Sequence, residues 1–205
     1  MDCGYGKTKV LILVMTYPNP SNSHIETICT AGMTEVGEWV RLYPIDYRYL
    51  DPSKRFHKYQ WVEIELGPSS NSNDHRKESR NPNLDSMCML GEPLSSSNNW
   101  ADRKKFVSRL PLHTRNELWD LHEQEKVSLG DVKPSKVIDL KIEPADTNWS
   151  PKKEQMLRQF RLFGPQPKPL TKLPYKFSYI YECHDDIKPH RGMIEDWELG
   201  VLFLK

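Results

Sequence analysis

Cysteine is scarce in this 205-residue chain, and its four copies, Cys3, Cys29, Cys88 and Cys183, are widely separated with no CxxC pair. That spacing indicates neither a disulfide framework nor a zinc ribbon, and reduced thiols in the cytoplasm are the simplest reading. Long apolar runs are missing too. The longest, Val10–Met15, is far too short to span a bilayer, and Gly4, Gly6 and Lys7 interrupt any signal-peptide pattern. The expectation is a soluble cytoplasmic protein without a membrane partner. Excess charge is also absent: 29 basic residues face 28 acidic ones, for a formal net charge of +1. Bulk electrostatics therefore gives no reason to expect nucleic acid or an anionic surface as partner, and any such surface must be a local patch. No phosphate-cradling glycine loop, nucleophile elbow or HExxH occurs, which leans the chain away from the common enzyme classes.

Aromatics are what the chain does have: six Trp, nine Tyr and six Phe. They supply burial that a modest aliphatic content does not, and the length suits one domain or two small ones. KVLILVMT (9–16) reads as a buried central strand, closed by the loop YPNPSNS (17–23). IETICTA (25–31) and EWVRLYPI (38–45) read as strands joined by a hairpin-length turn. KYQWVEIEL (58–66) alternates, with Val62, Ile64 and Leu66 on one face and Tyr59, Trp61, Glu63 and Glu65 on the other. Residues 67–83 contain almost no apolar side chain and read as a long loop, with a short strand expected at 86–90.

From Asn98 the pattern turns helical, with Trp100, Phe106 and Val107, then Leu118, Trp119 and Leu121 after Pro111, and Gly130 as the stop. A strand at 136–143, a helix opened by Ser150-Pro151 and running to about 162, and an aromatic strand at 174–183 follow. The last piece, 193–205, reads as an apolar helix able to dock on a partner. Strict βα alternation is missing. The fold class is α+β: a mostly antiparallel, barrel-like, OB-like sheet with a helical insertion and a C-terminal helix. The chain reads as a single compact domain, divisible into a β-rich barrel-like half (1–95) and a helix-containing α+β half (96–205).

The ordered series TYPNPS, ETICTAGM, GEWVRLYPIDYR, KYQWVEIEL, RKESRNPNLDS and IEDWELG resembles a family of uncharacterised prokaryotic and phage proteins, and the match covers nearly the whole chain. The opening half is also similar to the CxAG…WIRP arrangement of dual-OB-type proteins, a likeness that implies small β-barrels. Some members of the resembled family are richer in cysteine around positions 183–191, where this chain has Cys183, His184 and His190.

Three constellations carry chemistry. Trp39, Arg41 and Tyr43 alternate on one strand face, with Tyr59 and Trp61 on an expected neighbour. Bases of a single strand stack on such rings, each stack contributing about 1–3 kcal/mol, while arginine meets phosphate. The structural alternative is a second hydrophobic layer under the helices, with Arg41 paired to Glu63 or Glu65. The segment around 67–82 adds Arg76, Lys77 and Arg80, able to wrap a phosphate backbone or simply to solvate a loop. Cys183, His184 and His190 could ligate zinc, although their spacing fits no standard pattern and a polar turn is the alternative. No cofactor other than zinc is indicated.

These residues lead to a nucleic-acid-binding module, single strands ahead of duplex, serving a phage, mobile-element or defence system. Two alternatives stand beside it. One is a protein-interaction subunit docking through 193–205. The other is a metal-dependent nuclease, suggested by Asp139-Leu140-Lys141 and the acidic group Asp185, Asp186, Glu195, Asp196 and Glu198.

Overall fold

Val10, Leu11 and Ile12 are fully buried in succession, which requires apolar neighbours on both faces of the first strand. The computed structural model describes residues 6–69, 74–159, 164–186 and 188–204. In it β1 (Gly6–Met15) lies between β3 (Glu26–Thr34) and β5 (Trp61–Pro68), both antiparallel to it. The two-residue β2 (Asn19–Pro20) extends the edge of β3. β4 (Trp39–Ile45) pairs antiparallel with β3, and β6 (Ser79–Met89) pairs antiparallel with β5. One parallel pairing, Arg41 opposite Ser79 and Leu42 opposite Arg80, joins β4 to β6 and closes a five-stranded barrel in the order β1-β5-β6-β4-β3.

Val10, Ile12, Ile28, Leu42, Val62 and Ile64 fill the barrel interior. Each such side chain stabilises the fold by roughly 1.5–3 kcal/mol through removal from water. β1 and β3 approach so closely that a Cβ on Gly32 would lie 2.3 Å from the Leu11 carbonyl oxygen. A second apolar layer forms outside the barrel, where Leu11, Met33 and Leu110 are buried with Leu13, Trp39, Trp61, Leu94 and Phe106 against them. That layer is the cover of α1 (Ser97–Val107) and the residues just after it.

The second half continues with β7 (Leu112–His113), α2 (Arg115–Glu125), β8 (Asp131–Val132), β9 (Lys136–Pro144), α3 (Pro151–Leu157), β10 (Tyr175–Glu182), β11 (His190–Ile194) and α4 (Trp197–Phe203). β9, β10 and β11 form an antiparallel sheet in the order β11-β10-β9, while β7 and β8 pair in parallel. Thr114 caps α2 in a reciprocal capping box with Glu117. α4 returns to the barrel: Asp196 caps it, Trp197 meets the Tyr47 ring at 5.1 Å, and Lys58 reaches Asp196 at 2.6 Å.

The α+β class, the barrel, the helical insertion and the C-terminal helix are as the sequence implies; several boundaries differ. β6 begins at Ser79, so Ser79–Asn83 belong to a strand, because ladder bonds to β4 and β5 satisfy their backbone. α2 ends at Glu125 with Lys126 left-handed (φ 59°), ahead of Gly130. Residues 190–194 form a strand edge-paired to β10, and the final helix starts only at Trp197. α3 ends at Leu157, and residues 160–163 of its expected extension lie outside the described residues. A register shift near Tyr43-Pro44, where the peptide bond is cis, lets Leu42 and Ile45, three apart, both reach the core. Strict alternation of Trp39, Arg41 and Tyr43 is broken at its end. No helix among the described residues is long and apolar enough to cross a membrane.

Candidate nucleic-acid interface

Trp39 and Trp61 do share one side of the barrel wall, as their alternation implies, and both are half-buried beneath the 106–110 segment. The Trp61 and Phe106 rings meet edge to face at 5.4 Å. The Trp39 indole N–H lies beside the carboxyl of Asp131 on β8. Burial pushes that carboxyl up from the ordinary aspartate value, against the pull of His113 and the indole. Tyr43 is half-buried beside the cis bond.

Arg41 meets neither Glu63 nor Glu65 among its hydrogen bonds. Its Nη2 donates to Ser128 Oγ at 3.1 Å, and Ser128 donates through both its backbone N–H, at 2.8 Å, and its hydroxyl to Glu78 Oε1. An arginine on β4, a glutamate just before β6 and a serine after α2 thus form one chain of contacts across the two halves. The next basic residues are also engaged. Arg76 grips Asp74 with Nε at 2.6 Å and Nη2 at 2.8 Å, and this hydrogen bonding holds the Asp74 carboxyl well below the usual carboxylate range. Lys77 pairs with Glu125 of α2, which raises its own pKa. Arg80, exposed at the start of β6, donates to the carbonyls of Lys77 and Ser79.

Tyr59 leads to residues the strand pattern alone does not single out. It sits just before β5 with φ 62°, and the Arg103 guanidinium of α1 lies 4.0 Å from its ring centroid. The same guanidinium is 5.4 Å from the Trp100 ring, and Trp100 keeps 50% of its surface exposed. Asn98, Asn99 and Trp100 are all left-handed, with φ of 52°, 54° and 64°. Each costs roughly 1–2 kcal/mol for an L-residue. Tertiary contacts hold this turn: Tyr59 and Trp100 meet at 6.3 Å, and Arg103 Nε donates to the Leu94 carbonyl at 2.9 Å. The residues 100–110, WADRKKFVSRL, carry four basic side chains and one acidic one. That local excess was available in the sequence as the charge run Arg103-Lys104-Lys105 following an aromatic.

The candidate zinc residues are placed differently from one another. Cys183 is buried, and burial pushes its thiol up, unfavourable for the thiolate a metal needs. His184 is exposed, while His190 on β11 lies 3.5 Å from Asp186 and beside the Tyr181 ring. Among the described residues no three His, Cys, Asp or Glu side chains converge as a metal site. Of the proposed docking segment, Trp197 is packed on the barrel and the Phe203 ring meets Tyr175 and Phe177 of β10 at 4.8 and 5.1 Å, whereas Leu202 stays largely exposed. Asp139 and Lys141, the residues that suggest a nuclease, both lie on the exposed β9.

No curated protein and no solved structure matches the chain. A family model described as Domain of unknown function (DUF8757) matches residues 112–205, from β7 to the C-terminal end. A second model matches the barrel and α1, and the boundary between the two falls between the covering helix and β7. The chain belongs to the family of that second model, described as Domain of unknown function (DUF8758) and matched over residues 6–109.

Proposed function

We propose that this protein is a nucleic-acid-binding module for single strands, acting as an accessory factor of a phage, mobile-element or defence system, with the Tyr59–Arg103–Trp100 cluster as its stacking platform. The observation that carries the reading is the Arg103 guanidinium packed against two neighbouring aromatic rings, one of them half exposed, on a helix with local positive charge. An exposed indole offers a face to any base, and Lys104, Lys105 and Arg109 nearby in sequence supply phosphate contacts. The barrel topology supports the same class. Its third strand runs parallel to its fifth, as in OB barrels, which bind oligonucleotides on strands 2 and 3 and on the loop between strands 4 and 5. Here those strands carry Trp39, Arg41 and Tyr43, and that loop leads to Arg76, Lys77 and Arg80. Because Trp39 and Arg41 are engaged by the second half, the stacking role falls to Trp100 and Tyr59.

Fluorescence anisotropy with labelled single-stranded and duplex oligonucleotides at low salt tests this. Single strands should bind more tightly, and Trp100→Ala with Arg103→Ala should weaken binding about 10-fold or more, given about 1–3 kcal/mol per lost stack. Binding that is absent, or unchanged in the double variant, rejects the reading.

A further inference from the structure

β9 is an edge strand whose outer side no described strand covers, and every residue from Lys136 to Lys141 is exposed. From the pattern of this edge we infer that the protein self-associates as a two-fold dimer, β9 pairing antiparallel with β9 of a second copy to make one continuous six-stranded sheet.

Three features of the strand specify the pairing. Ala145 N–H donates to the Pro174 carbonyl at 2.8 Å, and Pro144 lies opposite Tyr175, so the odd-numbered residues 141 and 143 share their bonds with β10. The backbone groups of Leu140 and Ile142 therefore point out from the free edge. A two-fold axis at Leu140 sets Leu140 opposite itself with outward backbone groups matched, Ile138 opposite Ile142, and Asp139 opposite Lys141 twice. Asp139 and Lys141 then occupy non-hydrogen-bonded positions, where facing side chains come closest.

The sequence Ile-Asp-Leu-Lys-Ile is thus self-complementary about its centre in both apolarity and charge. Moving the axis by one residue either way opposes Asp139 to Asp139 or Lys141 to Lys141, which excludes the neighbouring registers. A further shift to Ile142 would require Pro144, which has no N–H, opposite Leu140, and Glu143, already held by Arg191. Asp139 and Lys141 themselves have no ion-pair partner among the described residues. Leu140 and Ile142, each 47% exposed, then pack against Leu140 and Ile138 of the second copy. The irregularity at Ile138, where Val137 faces Tyr181 and Asp139 faces Ile180, limits the pairing to this short central stretch.

The test is the molar mass of the full chain by light scattering over a concentration series, separate from any oligonucleotide measurement. The wild-type chain should approach twice its monomer mass as concentration rises. Asp139→Lys and Lys141→Asp, each at an exposed position, should each weaken association about 10-fold or more. The two single variants mixed together should form a hetero-pair, and the double exchange in one chain should restore association. A wild-type chain that stays monomeric throughout overturns the inference. So does a dimer indifferent to both single substitutions.

Discussion

Glu78 is only 8% exposed, and its Oε1 accepts two hydrogen bonds from Ser128 while the Arg41 guanidinium donates to the same hydroxyl. Donors thus replace water at Oε1, while Oε2 and the Arg41 Nε are buried with no hydrogen-bond partner among the described residues. Asp74, in the same loop, is held by Arg76, two residues further on, with a consequence for pH. Its carboxyl titrates below the ordinary 3.8 when folded, chiefly through the Arg76 hydrogen bonds. The folded state therefore binds fewer protons than the unfolded one in acid. The stabilisation is complete above about pH 4 and is lost as pH falls through the folded value. Arg76→Gln should lower stability at neutral pH, and its difference from wild type should shrink on acidification, as read by urea denaturation across the acid limb. A difference that stays constant to low pH would remove the Asp74–Arg76 pair as its cause.

At the scale of elements, the β1–β3 ladder depends on one missing side chain. Gly32→Ala would press a methyl group against the Leu11 carbonyl and Val10 Cγ1, the latter at 2.7 Å, with rigid backbone on one side. The strands must separate to admit it, at a cost of about 1–3 kcal/mol or more. The variant should show a lowered urea midpoint with an unchanged slope, and a midpoint equal to wild type would refute the close approach. The strand pattern was legible where burial is locally periodic. Val62, Ile64 and Leu66 share a face as read, and β1 declares its two-sided burial through an unbroken apolar run. Alternation could not show what lies over Trp39 and Trp61. An aromatic that faces solvent and one that faces a covering helix have the same place in a strand. Phe106 and Leu110 decide it, and they come from residues far along the chain. For the same reason Arg41 finds Ser128 where sequence reasoning offered Glu63 and Glu65. The Tyr59–Arg103–Trp100 cluster had a charge signal but no spacing signal, since its turn is built by left-handed residues.

Across the whole molecule, the second half returns repeatedly to the barrel. Tyr17 Oη donates to the Thr171 carbonyl at 2.8 Å, Tyr17 N–H donates to Glu195 O at 2.9 Å, and Lys58 holds both Asp196 and Glu198. The Asp196-Trp197-Glu198 sequence is thus a clasp: a cap, a packed ring and an ion-pair partner in consecutive positions. Trp197→Ala should release α4, and because the ring is half-buried the cost should fall below the roughly 3–5 kcal/mol of removing a fully buried one. Melting temperature should fall by several degrees, and amide exchange should rise at residues 196–204 before it rises in β1. Equal protection of α4 in the variant and the wild type would show that the ring is not what holds it.

The sequence by itself determined the α+β class, the barrel-forming strands and the final helix, because hydrophobic period and turn residues act over a few neighbours. Only the tertiary structure decided which aromatics stay exposed, which charges are already satisfied and which strand edge is left open. Those outcomes depend on residues brought together from opposite ends of the chain, and a strand carries no mark of what will be packed against it.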